Sequence, residues 1–142
     1  MTTVITFTAM FVALYAAHEV GDHWVQTQHQ AEHKHEAGRA GWYALLGHVA
    51  TYTITAGVAV GLVVWRCGLH VDAGGGIRLL LGLGLSAVTH GWADRRHTLR
   101  WLAHKIGSGP FYGLKSDGIN GAYLLDRSWH IGWLFLSALL MA

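Results

Sequence analysis

The sequence predicts an all-α fold, a four-helix transmembrane bundle whose helices are joined by a polar and a basic extension on the cytoplasmic side. Two observations carry most of that expectation. Hydrophobic residues make up 52% of the 142 residues and charged residues only 13%, a balance too apolar for a water-soluble domain of this size. Four apolar stretches recur along the chain, each near the roughly 20 residues that a hydrocarbon core about 30 Å thick requires. Nineteen glycines against one proline add a third, since small residues let helices approach closely in lipid.

The first helix is expected over residues 3–36, apolar as far as Val20 and polar beyond, with Gly38 as its C-cap. Its opening stretch has no Lys or Arg through Ala17 and so lacks the basic region of a secretory signal, which predicts that it is retained as a span. The second helix, 42–65, is the longest clean apolar run, and Gly57 and Gly61 stand at the GxxxG spacing that predicts close helix contact. A hinge of Gly74, Gly75 and Gly76 opens the third, 77–104, which turns basic after Ala93. The turn-rich loop around Gly107, Gly109, Pro110, Gly113 and Gly118 leads into the fourth, 121–142. The whole chain, 1–142, is expected to be a single integral-membrane domain.

Charge sets the expected orientation. The connections after the first and third helices carry Lys34, Arg39, Arg95, Arg96, Arg100, Lys105 and Lys115, whereas the opposite side carries Arg66 and Arg78. The positive-inside rule makes the basic connections cytoplasmic and puts both termini outside. Trp24, Trp42, Trp101 and Trp129 toward one end and Trp65 toward the other fit interfacial belts. Adjacent to a span, the basic segment 95–105 is expected to lie on anionic lipid rather than on nucleic acid.

The chemistry-bearing residues concentrate at that same basic end. His18 with Asp22, His90 with Asp94, and Asp126 with His130 are each four residues apart, and His48 stands alone in the second helix. On a helix, positions i and i+4 share a face, so each pair presents two ligand-type side chains together. Ionisable groups inside apolar helices are costly and usually functional. These seven side chains from four helices are expected to meet at one depth near the cytoplasmic face. Imidazole and carboxylate together suit a divalent metal, zinc first, with manganese or iron as alternatives. The single Cys67 leaves no thiolate cluster to compete with that reading. A divalent ion with an open coordination position activates water, which makes a metal-dependent hydrolase the leading expectation.

Glu19 directly follows His18 in the run HEVGD, which resembles an HExxH helix with aspartate as the second ligand, and this makes Glu19 the candidate general base. The tract containing His29, His33 and His35 is expected to be a solvated helix face. No GxGxxG, Walker or GxSxG motif occurs, which sets aside nucleotide-dependent and serine-hydrolase chemistry.

The order His18-x-x-Gly21-Asp22-x-x-x-Gln26, then Ala31 and Lys34, His48, Thr89-His90-x-x-x-Asp94 and Leu125-Asp126-x-x-x-His130 resembles the bacterial inner-membrane family known as domain of unknown function 3307. The resemblance covers all four helices and implies a multi-pass protein of the bacterial cytoplasmic membrane that shares this polar set. It carries no reaction. Glu19, His23 and Arg127 depart from the pattern, as a divergent branch would. A more distant likeness, in ligand spacing alone, is to membrane-associated metal-dependent hydrolases.

Two other functional classes stay open at the level of sequence. The His/Asp set could be a non-enzymatic network, structural or carrying ions or protons, and four short helices would then transport only as a homo-oligomer. The basic segment could instead mark a membrane-associated regulatory or DNA-associated protein.

Overall fold

The computed structural model of the chain describes residues 2–142. Among them are seven α-helices: α1 (Thr2–Val20), α2 (Gln28–His33), α3 (Gly38–Arg66), α4 (Ala73–Asp94), α5 (His97–Lys105), α6 (Gly109–Tyr112) and α7 (Gly121–Met141). One π-helical turn, Gly21–Val25, extends α1, and a hairpin of β1 (Lys115–Ser116) and β2 (Ile119–Asn120) precedes α7.

Four expected boundaries differ, each for a local reason. The polar half of the first expected helix is a separate element, because Thr27 adopts an extended conformation and caps α2. Its hydroxyl accepts from the Gln30 amide at 3.2 Å while the Gln30 side chain accepts from the Thr27 amide at 2.9 Å, a reciprocal arrangement that satisfies two otherwise orphan donors. Gly38 opens α3 instead of closing the helix before it, with φ at +83°. The glycines at 74–76 form the first turn of α4 rather than a hinge, since Asp72 accepts from the Gly75 amide at 2.6 Å. The third expected helix breaks after Asp94, where Arg96 takes φ of +54° and redirects the chain into α5. A non-glycine residue in that region costs on the order of 1–3 kcal/mol.

The four long helices pack in a ring, α1 on α3, α3 on α4, α4 on α7 and α7 on α1. α4 and α7 make the most extensive contact, and glycine permits it: a Cβ on Gly82 would lie 2.9 Å from the Ser137 carbonyl oxygen and 2.7 Å from Met141 Cε. Gly57 and Gly61 do not play the part their spacing suggests, because a Cβ at either meets open space.

The interior of the ring is divided along its length. One end is closed by an apolar core of Met10, Leu14, Ala56, Val60, Leu134 and Ala138 among others. The other buries His18, His48, His90, His130, Ser86 and Asp94. The outer surface is apolar on every long helix, with Val12 on α1, Ile54 and Val58 on α3, Leu80 and Val88 on α4, and Phe135 and Leu139 on α7 all exposed. Two segments, Thr3–Val25 and Gly38–Arg66, are long and apolar enough to cross a membrane.

Candidate metal centre

The site is assembled from one end of each long helix. His18 reaches in from the last turn of α1, His48 from the third turn of α3, His90 and Asp94 from the end of α4, and His130 from α7. Asp22 arrives from the π-helical turn, a distortion frequent at functional sites because it redirects one side chain without ending the helix. Gly21 lets that turn approach α3: a Cβ there would stand 3.2 Å from Tyr52 Cδ2. The Tyr52 ring in turn stacks on His90 with centroids 3.9 Å apart, and its hydroxyl is 2.6 Å from Ser86 Oγ. Close by in sequence, Trp92 stacks on Trp129, whose indole N–H donates to the Thr89 carbonyl at 3.1 Å.

Three ligand-type atoms form a compact triangle. His48 Nε2 and His90 Nε2 are 2.9 Å apart, and each is 3.2 Å from Asp94 Oδ2. With metal–ligand bonds of 2.0–2.1 Å, neighbouring ligands are separated by about 2.9 Å in an octahedron and about 3.3 Å in a tetrahedron. The triangle therefore has the size of one face of either polyhedron. Two histidines and one carboxylate on one face, with the remaining positions open, is a recurrent donor set for catalytic divalent metals.

A second group overlaps the first. His18, Asp22, His90 and His130 each offer a ligand atom, all within 4.8 Å of one another. Asp22 connects the two groups, since its Oδ1 is 3.4 Å from both His48 Nε2 and His90 Nε2 while its Oδ2 is 3.6 Å from His18 Nδ1. Several of these buried atoms make no hydrogen bond, among them both ring nitrogens of His18, Asp22 Oδ1, Asp94 Oδ2 and His130 Nε2. Uncompensated buried polar atoms are rare and expensive, and a cation is the partner this donor set fits.

Lys34 is a residue that sequence reasoning placed among the topological charges and in the family pattern but not among the site residues. It is buried, and its ammonium donates to Asp94 Oδ1 at 2.7 Å, leaving Oδ2 to face the imidazoles. Ligating carboxylates are commonly held in this way by a second partner. The clue available in the sequence was its place at the end of the Thr27-capped helix, one helical turn after Gln30.

Of the predicted residues, His18, Asp22, His48, His90, Asp94 and His130 come together. Asp126 lies at the margin, 3.7 Å from His130 Nε2 and partly exposed. Glu19 is not brought in: it faces outward to Arg127 Nη2 at 3.3 Å, with His23 Nδ1 at 3.8 Å.

A cavity of about 800 Å³ opens over the cluster on the side of the basic connections. Asp22, Asp94, Asp126 and Lys34 line it, so the carboxylates face the cavity while the imidazoles stand behind them. Comparison of the chain with protein-family models, with curated proteins and with solved structures returned no match.

Proposed function

We propose that the protein is a metal-dependent hydrolase of the bacterial cytoplasmic membrane, with four spans, both termini outside and a divalent ion, zinc before manganese or iron, near the cytoplasmic face. The observation that carries this reading is the triangle of His48, His90 and Asp94 at coordination spacing, with Asp22 beside it and a cavity against its carboxylates. Exposed apolar side chains on α4 and α7 as well as on α1 and α3 support four spans rather than two. The resemblance to domain of unknown function 3307 is consistent with the location.

The ion would supply Lewis acidity and an activated water. The chain's own residues do the rest: Lys34 fixes Asp94, Tyr52 and Ser86 fix the plane of His90, and Asp126, partly exposed at the cavity wall, is the carboxylate placed to take a proton. Glu19, engaged with Arg127, is not given that role. The same geometry weakens the transport alternative, because the apolar core around Leu14, Ala56 and Ala138 closes the other end of the ring. Elemental analysis of detergent-purified protein tests the reading. Stoichiometric metal, lost in His90→Ala and in Asp94→Ala, is expected; absence of metal from the wild type, or metal unchanged in both variants, overturns it.

A further inference from the structure

The cavity over the cluster is basic beyond what the metal ligands need. Arg96, Arg100 and Lys115 line it in addition to Lys34, together with the three carboxylates Asp22, Asp94 and Asp126. With a divalent ion added, the wall carries a clear positive excess, which selects an anion, and guanidinium groups favour the planar, multi-oxygen faces of phosphate. The strained conformation of Arg96 places one of these guanidinium-bearing residues at the junction of α4 and α5, directly after the ligand pair His90 and Asp94.

The helix α5 separates this cavity from a second one. Arg96, Arg100 and His104 face the basic cavity, whereas Leu99, Leu102, Ala103 and Ile106 line an apolar cavity of about 430 Å³ against α7. The positions recur at helical spacing, so one amphipathic element presents a charged face to one space and an apolar face to the other. Leu99 lines both and is the point where they adjoin. The apolar side is completed by Trp129, Gly132, Trp133 and Leu136 of α7.

We infer that the substrate is a phosphate monoester of a lipid, its phosphate in the basic cavity beside the metal centre and its hydrocarbon chain along the apolar cavity between α5 and α7. This rests on the metal-dependent hydrolase reading and names its substrate class. In the reaction, the oxygen of water bonds to phosphorus and the P–O bond to the lipid alcohol breaks. The water loses one proton, the departing alkoxide gains one, and the products are the free alcohol and inorganic phosphate.

Binding can be tested apart from turnover. Calorimetric titration of metal-loaded protein in nanodiscs, corrected against empty nanodiscs, would compare dodecylphosphonate, methylphosphonate and dodecanol. Dodecylphosphonate is expected to bind at least a hundredfold more tightly than either of the others. Arg100→Gln should weaken both phosphonates about tenfold. Gly132→Leu, whose new side chain enters space where a Cβ meets nothing within 4 Å, should reduce the preference for the long chain at least tenfold. Equal affinity for the two phosphonates would assign a soluble ester and overturn the lipid assignment, and equal affinity for dodecanol would overturn the phosphate site. Metal-loaded protein that binds no phosphonate overturns this inference alone; protein without metal overturns the hydrolase reading on which it stands.

Discussion

Replacing His90 with alanine is the most demanding test of the site, because His90 belongs to both groups of ligand-type residues. Its Nε2 lies 3.2 Å from Asp94 Oδ2 and 3.4 Å from Asp22 Oδ1, so no single ion position among the described residues is complete without it. An ion present at a hundred times its dissociation constant stabilises the folded state by about 2.7 kcal/mol. For a chain of this length that corresponds to a shift in Tm on the order of 10 °C. The assay is thermal unfolding in detergent with and without a strong chelator, with metal content measured on the same samples. Wild type should lose this increment on chelation. His90→Ala should unfold lower from the outset, since it also removes the ring on which Tyr52 stacks, and should no longer respond to chelator. An unchanged chelator response in His90→Ala would refute the shared-ligand argument, and a wild type indifferent to chelator would refute the metal itself.

Other consequences are smaller in scope. Lys34→Met removes one partner of a buried ion pair, which costs about 3–5 kcal/mol where nothing replaces the charge; the loss of Tm should be greater in chelator than with metal, because the ion offsets part of the Asp94 charge. Gly21→Ala should cost about 1–3 kcal/mol by overpacking and weaken metal binding, since Tyr52 cannot retreat from a Cβ at 3.2 Å without leaving His90 or Ser86; equilibrium metal titration reads the second effect. Cys67 is the only cysteine and is exposed in the connection after α3, so a membrane-impermeant thiol reagent applied to spheroplasts should label it. In a Cys67→Ala background, Ser116→Cys should stay unlabelled until the membrane is permeabilised, and the reverse pattern would invert the proposed topology.

The parts of this site that could be read from sequence are those encoded by helical spacing. His18 with Asp22 and His90 with Asp94 share faces because the helix repeat dictates it, and their register with His48 and His130 follows from the lengths of the apolar runs. What escaped was encoded by breaks in the helices. The π-helical turn at Gly21–Val25 packs Gly21 against Tyr52 of α3, a contact between residues 31 positions apart that no local pattern announces. Lys34 looked like an orienting charge because nothing local indicates that α2 folds back against α3 to deliver it to Asp94. Glu19 misled for the opposite reason: a short motif suggested a role, but a position next to a ligand on a helix points about 100° away from it, here toward Arg127. The GxxxG pair in α3 likewise has the right spacing, yet the close contact is made by Gly82, whose partner Ser137 lies on another helix.

Charge balance explains why these pieces belong to one device. Asp22 and Asp94 face each other across His48 and His90, and within that arrangement Lys34 is the one ammonium, held by Asp94. With every imidazole neutral the group carries a net charge of minus one, which either a proton on one imidazole or a bound cation would balance, in surroundings where isolated charge is strongly disfavoured. A structural network would be relieved by an apolar or amide substitute at Asp22, or by that proton; in the proposed metal centre the ion supplies the balance. A divalent ion overshoots by one positive charge, and Arg96, Arg100 and Lys115 extend that excess outward along the cavity. On that reading the excess lies along the cavity wall rather than among the imidazoles, where an anion can close it. On this argument Asp22→Asn lowers metal affinity and phosphate affinity together, whereas Arg100→Gln lowers only the second, and calorimetric titration of metal and of phosphonate on the same two variants separates them. If Asp22→Asn left metal affinity intact, the charge balance would have to be met within the protein, and the cluster would be the structural network after all.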